Sequence, residues 1–148
     1  MEFSRRILEP AAWDAGDAHA YAAKFTPDAT YVIFLGEALM GPAEIERTHI
    51  DVFRRWQKGT KMAIKAVRVS LLGADVCSVL TVGGIGQGAN PPYDKLQTFT
   101  LIRHGDSWLC AAFQNTAMNA RAKTSFSQNS NAVSQARKWW SKWRLRRK

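Results

Sequence analysis

Residues 62–118 read MAIKAVRVSLLGADVCSVLTVGGIGQGANPPYDKLQTFTLIRHGDSWLCAAFQNTAM. This stretch decides the fold. β-Branched and aromatic side chains fill four runs, Met62 to Leu72, Val76 to Ile85, Lys95 to Arg103 and Trp108 to Met118, and none of them repeats at helical period. Gly73-Ala74-Asp75 and His104-Gly105-Asp106-Ser107 have the composition of hairpin turns. Four consecutive antiparallel strands are predicted.

Upstream the period changes. Phe3, Ile7, Leu8, Ala11 and Ala12 recur at helical spacing with Trp13 on the same face, and Pro10 kinks the helix they predict over residues 3–14. Gly16 suits its C-terminal turn, and Asp17 caps a second helix expected over Ala18 to Phe25. Ala29 to Leu35 (ATYVIFL) reads as a strand ending at Gly36, followed by a turn or short return strand to Gly41. Pro42 opens a third helix in which Ile45, His49, Val52, Phe53 and Trp56 fall on one face, and Gly59 ends it. Helices gathered early against a late meander mark an α+β domain, with the N-terminal helices packed on a curved, mainly antiparallel sheet.

With 148 residues, 46% hydrophobic and 22% charged, the chain has room for one globular unit and a small appendage. Cys77 and Cys110 are too few for a disulfide framework and match no zinc spacing, so two buried thiols are expected. The net charge of +9 is uneven: residues 135–148 (QARKWWSKWRLRRK) carry +7, which leaves +2 for residues 1–134. An anionic partner is therefore an expectation for the tail alone. No apolar run approaches the roughly 18 residues of a membrane span, and the first residues lack the apolar core of a signal peptide. A cytoplasmic location follows, with the tail allowing a peripheral position at a membrane.

Gly83-Gly84-Ile85-Gly86-Gln87-Gly88 resembles a dinucleotide-binding loop, but a pyrophosphate site needs a helix directly after the glycines, and Ala89-Asn90-Pro91-Pro92 forbids one. The glycines read instead as a softened strand end, and no nicotinamide, flavin or other cofactor is expected. His19, His49 and His104 lie on separate elements with no pair at i, i+4, so no metal site is expected either. His49 remains. It shares a helical face with Ile45, Val52, Phe53 and Trp56, so it points inward, either as a core histidine satisfied by one hydrogen bond or as a general acid or base.

The DAGD step after a Trp-bearing helix, FTPDATYVIFLG, the GPAEI start of a helix bearing THIDVF, and the closing WLCAAFQNT together resemble the SnoaL-like part of the nuclear-transport-factor-two-like superfamily. Within it they are most similar to the subgroup related to proteins of enediyne antibiotic clusters. The resemblance covers residues 3–118. It implies a cone-shaped fold around one deep pocket, usually in a homodimer, and no single chemistry. It places the catalytic base of the steroid isomerases on Ile33 and their two acidic donors on Glu9 and Phe99, and a proton shuttle cannot run on Ile and Phe. A histidine at the place of His49 is frequent in the subgroup. On the last strand the resemblance puts Cys110, Ala112 and Gln114 inward and Asn115 outward, while Gln97, Phe99 and Leu101 share a face of the neighbouring strand. With Trp13, Tyr31, Ile33 and Phe53 these residues describe either an apolar, aromatic ligand pocket with a few polar anchors or plain core packing.

Three functions stay in view. The first is a non-catalytic or weakly catalytic domain, 1–118, that binds an apolar small molecule oriented by His49 and Gln114. The second is a cofactor-independent cyclase or isomerase with His49 as acid-base residue. The third is a structural dimer whose tail does the work. Residues 119–134 are rich in Ser, Asn, Gln and Ala and read as a polar linker. Beyond them Val133, Ala136, Trp139, Trp140 and Trp143 fall within about 120° on a helical wheel, with Lys138, Lys142 and Arg144 off that stripe. Such a segment suits an anionic membrane surface or nucleic acid.

Overall fold

The computed structural model describes residues 10–123, and within them the predicted meander forms. Its strands are β3 (Lys61–Leu71), β4 (Val76–Gly86), β5 (Lys95–His104) and β6 (Ser107–Ala117), each antiparallel to the next. Before them come helix α1 (Ala11–Asp14), helix α2 (Ala18–Ala22), strand β1 (Phe25–Val32), the short return strand β2 (Ala38–Met40) and helix α3 (Gly41–Asp51). The single sheet has the order β2-β1-β6-β5-β4-β3, and β1 lies parallel to β6. Short helices packed on this curved sheet make the expected α+β cone. The residues expected to begin the first helix, 3–9, lie outside the described residues, as do 124–148.

Local chemistry explains the joints. Gly16, at φ 65°, ends α1: its N–H donates to the Trp13 carbonyl at 2.8 Å, and Asp17 N–H donates to the Ala12 carbonyl at 3.0 Å. The Asp17 carboxylate then caps α2 by accepting from Ala20 N–H at 2.9 Å. Gly41 opens α3 at φ 73°, and a Cβ there would stand 2.8 Å from the Pro27 carbonyl oxygen, so the helix starts hard against β1. Trp13 Nε1 donates to the Thr60 hydroxyl at 3.1 Å, and the Asp14 carboxylate accepts from Met62 N–H at 2.9 Å, which ties α1 to the start of β3.

Three expectations are corrected. α2 stops at Ala22 and β1 begins at Phe25, four residues before the strand read from the sequence. α3 passes at Val52–Trp56 into a π-helical turn, whose longer hydrogen-bond ring carries Trp56 off the buried stripe; the indole is 70% exposed. In β6 the partners run Ala112 opposite Thr100 and Cys110 opposite Leu101, so Ala111 is an unpaired bulge that reverses the facing of every residue after it. At the end of the described residues, 120–123 form a helical turn capped by the Asn119 side chain, which accepts from Ala122 N–H at 2.9 Å; the rest of the segment read as a linker lies outside them.

The glycine run stays extended. Gly83 to Gly86 belong to β4, and Asp94 N–H donates to the Gly83 carbonyl at 3.1 Å. A Cβ at Gly84 would overlap the Pro92 carbonyl oxygen, so these glycines admit the 91–94 segment onto the strand.

Candidate functional site

Between the helices and the concave face of the sheet lies a cavity of about 630 Å³, inside the usual range for ligand sites. Its helix side is built by α1, α2 and α3, which supply Trp13, Tyr21 and His49; β1 adds Phe25 and Tyr31, and Ile33 follows directly after it. The sheet side comes from β5 and β6, through Lys95, Gln97, Phe99, Cys110, Phe113 and Asn115, with Met62 and Ile64 of β3 and Ile85 of β4 beside them. Aromatic rings supply much of the lining. Tyr31 and Phe99 each lie against Phe113, at ring-centroid distances of 4.6 and 4.9 Å, and Tyr21 lies tilted on the His49 imidazole at 4.6 Å. The rim includes the exposed side chains of Phe34, Leu35 and Trp56.

His49 is buried. Its Nδ1 donates to the Ile45 carbonyl at 2.7 Å, one turn back on α3, and its Nε2 is 3.4 Å from the Tyr31 hydroxyl. The Tyr31 hydroxyl is in turn 3.0 Å from that of Tyr21. Burial lowers the imidazole pKa from its ordinary 6.5, against the opposing pull of the Ile45 carbonyl, so the ring is neutral near pH 7. Burial also raises the Tyr21 hydroxyl well above its usual range and pushes Tyr31 up to about 12, although the hydrogen bond from Tyr21 lowers Tyr31 somewhat. The helix side therefore holds three neutral hydrogen-bonding groups in a row. Such a set can orient a ligand oxygen.

The sheet side has its own polar groups. Gln97 Oε1 accepts from the Thr81 hydroxyl at 2.9 Å, and Asn115 Oδ1 accepts from Phe34 N–H at 2.7 Å. Lys95 pairs with Asp94 at 2.9 Å and lies over the Phe34 ring, 4.7 Å from its centroid. The Cys110 thiol is pushed up to about 12 by burial, so it stays protonated.

Six of the eight residues read as ligand contacts line the cavity: Trp13, Tyr31, Ile33, His49, Gln97 and Phe99. Two do not. Phe53 stands behind the wall, edge-on to Trp13 at 5.0 Å and 5.7 Å from His49. Gln114 is exposed on the other face of β6, because the Ala111 bulge turns Asn115 inward in its place. Tyr21, Phe113 and Asn115 were missed. The sequence did hold a signal for the last two: Cys110 and Phe113 are both large enough to be core residues, and their odd spacing within one strand requires a bulge between them. Glu9, one of the two donor positions of the isomerases, and the tail residues Lys138, Trp139, Trp140, Lys142, Trp143 and Arg144 lie outside the described residues. Among the described residues no three His, Cys, Asp or Glu side chains converge, and no helix is long and apolar enough to cross a membrane.

No protein-family model and no curated protein sequence matches the chain. Solved structures do. A domain of unknown function with a cystatin-like fold from Nostoc punctiforme is similar at a TM-score of 0.70 and 20% identity, over 97% of this chain and 93% of that one. An NTF2-like protein with a cystatin-like fold from Novosphingobium aromaticivorans is similar at 0.68 and 16% identity, over 83% and 86%. A ketosteroid isomerase-like protein from Erwinia carotovora atroseptica is similar at 0.61 and 19% identity, over 78% and 91%. At these identities the likeness is one of fold, the cystatin-like cone of the NTF2-like proteins.

Proposed function

We propose that the protein binds an apolar, ring-containing small molecule in the cone. The observation that carries this is the cavity of about 630 Å³, lined by aromatic rings and provided with few polar groups, all of them neutral except Lys95 on the sheet side, Lys24 in the turn before β1 and Glu37 at the rim. That is the make-up of a ligand site, where apolar walls supply affinity and a few hydrogen bonds supply orientation. His49 and its tyrosines orient one end of the ligand, and Asn115 takes the part read for Gln114. The subgroup reading, SnoaL-like and related to enediyne-cluster proteins, and the homodimer it implies belong to the same proposal.

Catalysis is the second reading, with His49 as acid-base residue of a cofactor-independent cyclase or isomerase. The row of three hydrogen-bonding groups favours it, but His49 Nδ1 leans on a carbonyl rather than a carboxylate. A carbonyl stabilises an imidazolium much less than a carboxylate does, so binding stands ahead of turnover. The basic tail is proposed to hold the protein at an anionic membrane surface, with nucleic acid as the competing partner. Titrating the full chain with 2-acetylnaphthalene and following tryptophan fluorescence tests the main proposal. Saturable binding at micromolar concentrations is expected, and its absence up to the ligand's solubility would overturn it.

A further inference from the structure

Hydrogen-bond partners fix where the protons of the cavity's polar groups point. A carbonyl oxygen can only accept, so the 2.7 Å contact with Ile45 puts the His49 proton on Nδ1 and leaves Nε2 as a lone pair. The Tyr31 hydroxyl is the donor within reach of that lone pair, at 3.4 Å. Tyr31 has no second proton, so in the 3.0 Å contact with Tyr21 it accepts and Tyr21 donates. The row runs one way, from Tyr21 through Tyr31 and His49 to Ile45. Its open end is the Tyr21 oxygen, which has lone pairs and no proton to give, on a residue that lines the cavity.

The sheet side has the opposite polarity. Phe34 N–H can only donate, so the Asn115 atom 2.7 Å from it is the carbonyl oxygen, and the amide nitrogen with its two protons is left for the cavity. Gln97, directly opposite Asn115 in the β5–β6 pairing, spends its oxygen on Thr81 and likewise keeps its nitrogen. Lys95, two residues before Gln97 on the same strand, adds an ammonium group to the same wall. One wall accepts and the other donates.

We infer that the cavity selects a hydroxylated aromatic carbonyl compound, held with its hydroxyl donated to the Tyr21 oxygen and its carbonyl or carboxylate oxygen accepting from the amides of Asn115 and Gln97. This rests on the cavity being a site for ring compounds, and it adds which chemical group belongs at which wall. A ketone turned the other way would set its oxygen against the lone pairs of Tyr21. A ring carrying only hydroxyls would offer the sheet-side amides a hydroxyl oxygen, a weaker acceptor than a carbonyl or carboxylate oxygen.

Three probes test the assignment on the full-length protein: 2-acetylnaphthalene, its 6-hydroxy derivative and its 6-methoxy derivative. The hydroxy compound is expected to bind about tenfold more tightly than the parent, the worth of one good hydrogen bond, while the methoxy compound gains nothing because it has no proton to donate. Tyr21→Phe should reduce that tenfold preference to near unity. Asn115→Asp keeps the acceptor for Phe34 N–H and exchanges the amide donor for a second carboxylate oxygen, so it should weaken all three ketones by about tenfold or more. Equal binding of the hydroxy and methoxy compounds to the unaltered protein overturns the inference without recourse to any variant. Unchanged ketone affinity in a folded Asn115→Asp protein overturns its sheet-side half. If none of the three probes binds, the ring-binding reading fails and takes the inference with it, whereas binding without discrimination leaves that reading standing.

Discussion

Gln97 and Asn115 stand directly opposite each other on β5 and β6, and Asn115 joins Gln97 at the cavity because Ala111, four residues before it, has no partner. A strand alternates strictly, so one unpaired residue is enough to exchange which side chains are inside. Asn115→Ala is expected to weaken binding of 2-acetylnaphthalene by about tenfold, and Gln114→Ala by less than about twofold. Isothermal titration of the two variants side by side checks the facing; the reverse order of effects would place Gln114 in the cavity.

The β4 glycines make room for a neighbouring backbone. A Cβ on Gly84 would overlap the Pro92 carbonyl oxygen, which is backbone and cannot swing aside as a side-chain tip can. Gly84→Ala is therefore expected to cost about 2–3 kcal/mol, the scale of an overpacked site. Gly73, which has nothing within 4 Å of the corresponding position, serves as the control, and its alanine variant should remain within about 0.5 kcal/mol of the parent. Urea denaturation of both proteins gives the comparison.

The meander was legible because its signals are local. Alternating β-branched residues and glycine turns put each of the four strands within two residues of its place, and Gly16 and Asp17 marked the joint between α1 and α2 by their own chemistry. What escaped depends on partners distant in sequence. β1 begins early at Phe25 because it borrows its order from β6, with Phe25 opposite Cys110, and Pro27 and Asp28 disguise it as a loop. Trp56 fits the apolar stripe of a regular helix, and only the π-helical turn, set by tertiary packing, moves it to the rim. Tyr21 belongs to a helix of five residues, too short for a periodicity to show which face is inward.

Both cysteines should be silent in the folded protein. Burial pushes Cys77 and Cys110 up to about 12, so at pH 8 almost no thiolate is present, and both side chains are shielded from reagents. Ellman's reagent is expected to titrate no thiol in the native protein at pH 8 and two after denaturation. Rapid reaction of either in the native state would contradict the buried placement.

The tail proposal has a separable consequence. If residues 135–148 hold the protein at anionic lipid, removing them should leave the naphthalene affinity unchanged and abolish sedimentation with phosphatidylserine vesicles. At about 1 kcal/mol for each basic side chain near the surface, the seven Lys and Arg residues give a strong, salt-sensitive attachment. Full-length protein that stays in the supernatant at low salt would end the membrane proposal, and retardation of single-stranded DNA by the same protein would replace it with the nucleic-acid one.

Finally, the neutral His49 makes stability depend on pH in a predictable direction. Burial lowers its pKa from 6.5 in the folded chain, so below that value the unfolded chain takes up a proton at this residue more readily than the folded one does. Proton uptake favouring the unfolded state means that stability rises with pH over this interval. The contribution is fully present above about pH 6.5 and is lost as pH falls from 6.5 through the lower folded value. Carboxylates begin to titrate in the same acid range, and subtraction removes them: His49→Gln lacks the imidazole and keeps every carboxylate. Its stability, measured by urea unfolding at half-unit steps from pH 8 to 4.5, should run below that of the parent at neutral pH and converge toward it on acidification. Parallel curves would show that His49 has the same proton affinity folded and unfolded, and would remove the neutral imidazole on which the one-way row from Tyr21 to Ile45 depends.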